Sequence, residues 1–160
     1  MLKALHSNMF KTILVIALLA FVLAHDAQAD KQYYIYPDQE TFIGAWIGCK
    51  SAGMKLANVE SLNDQTALEK AISHSADKSN TGYWIGAATA VFNDNGWYWL
   101  DAEVKMTYSN WGTGQPRYSE DDAETGYCVR VGNFYKISES SKWENIDCNS
   151  KLYYICELKA

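Results

Sequence analysis

The stretch YCVRVGNFYKISESSKWENIDCNSKLYYIC, Tyr127 to Cys156, holds three of the chain's four cysteines and three short runs rich in Tyr, Val, Ile and Trp. Such runs, YCVRV, KWENI and LYYICEL, punctuated by Gly, Asn and Ser, read as β-strands joined by turns. In the last of them Leu152, Tyr154, Cys156 and Leu158 alternate onto one face, so Cys156 is expected inside the core.

The same grammar extends upstream through GYWIGA (Gly82–Ala87), GWYWL (Gly96–Leu100) and TYSNW (Thr107–Trp111), with a turn at the NDNG of Asn93–Gly96. Before residue 80 the period changes. From Thr41 to Ser51 the apolar residues Phe42, Ala45, Trp46 and Cys49 recur at i, i+3, i+4 and i+7, one face of a helix that turns Cys49 inward. A second helix is expected over Leu62–Asp77, opened by Ser61 and Asp64 as a capping box, with Leu68, Ala71 and Ile72 on its buried face. His74 falls on that helix's surface. YYIY (Tyr33–Tyr36) predicts a first strand stopped by Pro37. Helices followed by hairpins make an α+β domain.

Lys3 and Lys11 precede the apolar run TILVIALLAFVLA (Thr12–Ala24), and small residues follow at Ala27 and Ala29. This order predicts a secretory signal over 1–29 and a single exported domain over 30–160. A membrane-spanning helix needs roughly 17 to 25 apolar residues, so no membrane insertion is expected of the mature product. Without Lys3, Lys11 and Asp26 the domain carries 12 basic and 18 acidic residues, net −6. That balance, with no basic stripe, argues against a nucleic-acid partner.

All four cysteines lie in the exported part, and an even count there implies disulfides, for which three pairings are open. Their spacing does not suit zinc, and His74 is the domain's lone histidine. No Ser/His/Asp arrangement forms around His74 and no nucleotide-binding glycine loop occurs, so an enzyme is not expected. Paired acids such as Asp121 and Glu144 are better explained by cation binding or solvation than by hydrolysis.

Cys49, GMKLA, WIGA, GWYWL, NWGTGQP, YCV, WENIDC and YYIC, in this order and with suitable gaps, resemble the C-type lectin domain family over essentially the whole of 30–160. The resemblance implies a short, two-disulfide form with Cys49 joined to Cys156 and Cys128 to Cys148. It also implies two helices beside small antiparallel sheets, and a long ligand loop. Under it, WIGA is a core strand, and Trp84, Trp97, Trp99 and Trp111 are scaffold.

Many members of that family hold sugar through calcium, whose shell needs roughly six to eight oxygen donors. The loop NWGTGQPRYSEDDAETGYC (Asn110–Cys128) meets this pattern in part. Gln115 and Pro116 match the galactose-type start of the family triplet, whereas Arg117 replaces an oxygen ligand with a cation. Gly126 stands where the family has Glu two residues before the cysteine; Glu124 is the nearest substitute, with Glu120, Asp121 and Asp122 close by. WENIDC keeps oxygen donors at Glu144 and Asn145, with amide and carboxylate exchanged.

The resemblance therefore implies a secreted, calcium-dependent lectin for a galactose-like glycan or glycoprotein. The expected metal ligands are Gln115, Glu124, Glu144 and Asn145, and the expected sugar contacts are Gln115, Tyr118, Glu144 and Asn145. Tyr118 suits stacking on a galactose-like ring, or serves as a loop anchor. The alternative is a calcium-independent C-type lectin-like module binding a protein partner. Avidity, in either case, would come from a homodimer of the globular part or from partners.

Overall fold

A computed structural model describes residues 31–75, 82–89, 96–118, 127–132 and 141–158. The expected signal over 1–29, most of the NDNG turn, Glu120, Asp121, Asp122, Glu124 and Gly126 lie outside them. The described elements are β1 (Tyr33–Glu40), α1 (Phe42–Ser51), β2 (Met54–Leu56), α2 (Leu62–His74), β3 (Tyr83–Thr89), β4 (Trp97–Trp99), β5 (Val104–Lys105), β6 (Tyr127–Val131), β7 (Trp143–Asp147) and β8 (Leu152–Leu158).

β1 runs through Pro37 rather than stopping there. Its register against β8 shifts between Tyr36 and Glu40, and β1 is an edge strand, so a residue without an N–H is accommodated in the irregular stretch. TYSNW forms no strand; it contributes a single bridge, Trp111 to Trp143. The sheet is mixed rather than wholly antiparallel, because β8 returns from the far end of the chain to lie parallel to β3. Its strand path is β1-β8-β3-β4-β5, with β2 on β8, and β6 on β3 carrying β7.

Both helices start on hydroxyl caps. Thr41 accepts from the Gly44 N–H at 3.2 Å and Ser61 from the Asp64 N–H at 3.1 Å. Asp64 reaches back to the N–H of Glu60, one residue before the cap, at 2.8 Å. On α2 the buried residues are Leu68 and, unexpectedly, Gln65, while Ala71 and Ile72 are half-buried. His74 is exposed, with Nδ1 2.6 Å from the Lys70 carbonyl.

The sheet separates two apolar clusters, which explains why its central strands are apolar on both faces. Along β3, Tyr83, Ile85 and Ala87 enter one cluster with Val59, Leu68, Val129, Val131 and Trp143, while Trp84 enters the other with Phe42, Ala45 and Leu56. β8 divides the same way, Ile155 to the first and Tyr154 and Cys156 to the second. Leu158, expected on the inner face, is exposed instead, and Glu157 is buried. Glu157 meets Lys55 at 2.9 Å and accepts from the Asn58 N–H at 2.8 Å. Gly86 is required by close approach: a Cβ there would lie 2.9 Å from Asn58 Oδ1 and 3.1 Å from the Leu56 carbonyl oxygen.

Two disulfides fasten this arrangement, Cys49 to Cys156 across 107 residues and Cys128 to Cys148 across 20. The first joins α1 to β8 inside the second cluster, and the second joins β6 to the turn after β7.

Candidate functional site

The loop from Asn110 to Tyr118 is built onto β7. The Trp143 N–H donates to the Asn110 carbonyl at 2.9 Å, the Gly112 N–H to the Trp143 carbonyl at 2.9 Å, and the Gln115 N–H to the Gly112 carbonyl at 3.0 Å. Lys142 Nζ adds a 2.6 Å bond to Asn110 Oδ1. Gly114 takes φ +78°, a region that suits glycine, and the Gln115–Pro116 peptide is cis.

Asn145 clasps the end of this turn. Its Oδ1 accepts from the Arg117 N–H at 2.6 Å, and its Nδ2 donates to the Arg117 carbonyl at 2.5 Å. Arg117 itself is exposed. One residue on, Tyr118 is 58% exposed; its hydroxyl accepts from Trp97 Nε1 at 3.0 Å, and its ring meets Tyr127 edge-on at 5.7 Å. Trp97 packs on Trp111 at 5.0 Å. This end of the molecule therefore presents a rigid turn beside one exposed aromatic ring.

Gln115 Oε1 is buried with no hydrogen-bond partner. Glu144 is opposite in character. It faces Arg130 across the β6–β7 ladder, and its Oε2 accepts from Arg130 Nη2 at 2.5 Å and Nε at 3.2 Å. The two side chains are 15% and 10% exposed, a nearly buried ion pair.

Among the described residues this donor set does not fit a calcium cage. Glu144 is paired with Arg130, both polar atoms of Asn145 serve the Arg117 backbone, and Gln115 Oε1 is buried without a partner. No group of three or more His, Cys, Asp or Glu side chains converges among the described residues. Of the residues expected at the site, Gln115, Tyr118 and Asn145 share one loop and its clasp. Glu144 is tied to Arg130 instead, and Glu124 falls outside the description.

Sequence reasoning missed Arg130 and Gln65. The only signal for Arg130 was a cation inside an otherwise apolar strand, YCVRV. Gln65, on the polar side of a helical pattern, proves to be the acceptor for Trp143 Nε1 at 3.0 Å, and so supports the strand that carries Glu144 and Asn145.

The profile of the lectin C-type domain matches residues 38–158. The chain belongs to the C-type lectin domain family. It is 29% identical to a perlucin-like protein of Mytilus galloprovincialis over 125 residues, 78% of this chain and 74% of the relative. To salivary C-type lectin 2 of Aedes albopictus it is 28% identical over 154 residues, 93% of this chain and 98% of the relative. The structure of human lithostathine superposes with a TM-score of 0.68 at 24% identity, covering 84% of this chain and 88% of that one. C-type lectin domains are non-catalytic binding scaffolds, and this chain is one of them rather than an enzyme. No helix among the described residues is long and apolar enough to cross a membrane.

Proposed function

We propose that the chain is an exported lectin that binds a galactose-like glycan at the Gln115–Tyr118 turn. The observation that carries this reading is the turn itself, a cis Gln-Pro corner clasped by Asn145 that ends on an exposed aromatic ring, Tyr118. Gln115 Oε1 is buried without a donor, which is costly, and a turn of the side chain outward would let it accept from a sugar hydroxyl. Tyr118 offers its flat face to the apolar side of a pyranose, while Trp97 and Tyr127 hold the ring in place. Two disulfides favour an oxidising, extracellular setting.

Retention on immobilised galactose, released by free galactose, tests this. Loss of retention in Gln115→Ala with an unchanged melting temperature supports the site. Absence of retention for the wild-type protein, with calcium or with chelator, overturns the lectin reading.

A second reading is a calcium-independent protein-binding module. It is favoured by Leu100 and Val104 around the β4–β5 turn, 39% and 45% exposed, apolar side chains of the kind protein interfaces use. Pull-down of a protein partner by wild type but not by Val104→Glu selects it.

A further inference from the structure

We propose that the groove between β1 and α1 receives a lysine side chain of a partner polypeptide, its ammonium held by Asp38, Glu40 and the Tyr154 hydroxyl. The site shares no residue with the Gln115–Tyr118 turn and does not rest on the lectin reading.

The groove, about 500 Å³, is lined by Asp38 and Glu40 from β1, by Gly44, Ile47 and Gly48 from α1, and by Tyr154 from β8. Among the described residues neither carboxylate has an ion-pair or hydrogen-bond partner, and neither does the Tyr154 hydroxyl. Tyr154 is only 5% exposed and its ring stacks on Tyr36 at 5.0 Å, so a nearly buried side chain brings one unpartnered polar atom to the groove wall. Two glycines make room for these groups. A Cβ on Gly44 would lie 2.8 Å from Glu40 Oε2, and one on Gly48 would lie 2.5 Å from Tyr154 Oη. Residues four apart are neighbours on one helix face, so these two oxygens lie over adjacent turns of α1. Burial raises the pKa of Tyr154 and the charges of Asp38 and Glu40 add to the rise, which puts both acids within electrostatic reach of the hydroxyl.

The chemistry of the wall selects the occupant. Two carboxylates and a phenol oxygen accept hydrogen bonds, and an ammonium brings one positive charge and three donors. Calcium is a poor match, since its shell takes roughly six to eight oxygens and two carboxylates leave most of it unfilled. A free amine would leave the apolar side of the groove uncovered. Ile47 is 53% exposed and Ile43, one turn earlier, is 55% exposed, and the stem of a lysine with its neighbouring residues would cover that area. A second copy of this chain is disfavoured by its own net charge of -5.

The probe is a short peptide with one lysine between two leucines, blocked at both ends and titrated into the wild-type protein while backbone amide NMR shifts are followed. Saturable shifts at Gly44 and Gly48, weakened by added salt, are expected, and the same peptide carrying Nε-acetyl-lysine should produce none. Butylamine, which keeps the ammonium and drops the leucines, should bind more weakly than the peptide. Asp38→Asn and Glu40→Gln should each weaken peptide binding about two- to fivefold, the range of one solvent-exposed ion pair. Tyr154→Phe removes only the unpartnered hydroxyl, so it should weaken binding while leaving the melting temperature unchanged. Absence of saturable shifts at Gly44 and Gly48 in the wild-type protein overturns the proposal. So do equal shifts from the acetylated peptide, undiminished affinity when Asp38→Asn and Glu40→Gln are combined, or butylamine binding as tightly as the peptide.

Discussion

Asn145 grips Arg117 by both of its backbone polar atoms, accepting at 2.6 Å and donating at 2.5 Å, and so fastens the ligand loop to β7 across 28 residues. Asn145→Ala removes both bonds and is expected to cost about 1 to 3 kcal/mol of stability by denaturant unfolding. Because the loss falls on the loop, trypsin should cut after Arg117 faster in the variant. Cleavage at the wild-type rate would show that the loop is held by other contacts.

Trp143 carries the strand behind that clasp. It is fully buried, donates to Gln65, and meets Trp99, Tyr108 and Trp111 edge-on at 5.9 Å each. Trp143→Phe deletes the donor and strands the buried Gln65 oxygen, for an expected loss of about 2 to 4 kcal/mol. A loss below about 0.5 kcal/mol, typical of surface substitutions, would show that Gln65 finds another donor.

The two disulfides should contribute unequally. In the chain-entropy account a closed loop of about 100 residues is worth roughly 4.7 kcal/mol and one of about 15 residues roughly 3. Replacing Cys49 and Cys156 together by Ala is thus expected to destabilise more than replacing Cys128 and Cys148, whose separations are 107 and 20. Equal melting temperatures for the two double variants would contradict this.

Stability should fall in alkali through groups around the start of β1. Burial raises the pKa of Tyr33 above its ordinary 10.0, with the charges of Glu157, Asp64 and Glu60 adding to it. For Lys31, burial acts downward from 10.5, but the bonds to Glu60 and Asp64 and the charge of Glu157 outweigh it and the pKa is raised. Both groups hold their protons more tightly when folded, so their contribution is complete below pH 10.0 and is lost as pH rises through the folded values. Unfolding free energies measured from pH 8 upward should decline above about pH 10, and Tyr33→Phe should flatten that decline. An identical slope in the variant would assign the loss to other tyrosines.

If the lectin reading holds, Tyr118→Ala should weaken retention on galactose about two- to tenfold, the range expected of one aromatic contact, without lowering the melting temperature. Tyr118→Phe keeps the ring face and should bind nearly as wild type, although it loses the bond to Trp97. Equal weakening in both variants would place the hydroxyl, not the ring, at the ligand.

Consecutive residues were enough to reveal both helices, the Ser61 cap of the second, the strands YCVRV, KWENI and LYYICEL, and the inward direction of Cys49 and Cys156, because periodicity and capping are local properties. Pro37 misled because its effect depends on whether a strand lies at an edge, which is a property of the sheet. Leu158 misled because alternation ignores where a strand ends: it is the last residue of β8 and is exposed, while Glu157 before it is buried against Lys55 and Asn58. The site residues Gln115, Tyr118 and Asn145 were legible as chemistry, yet what each does was not. Only the closed structure decided that Glu144 meets Arg130, that Asn145 spends its amide on Arg117, and that β8 lies parallel to β3. Each is a pairing between residues 14 or more positions apart, set by strand register and by the packing of the whole sheet, and no short window of sequence encodes that.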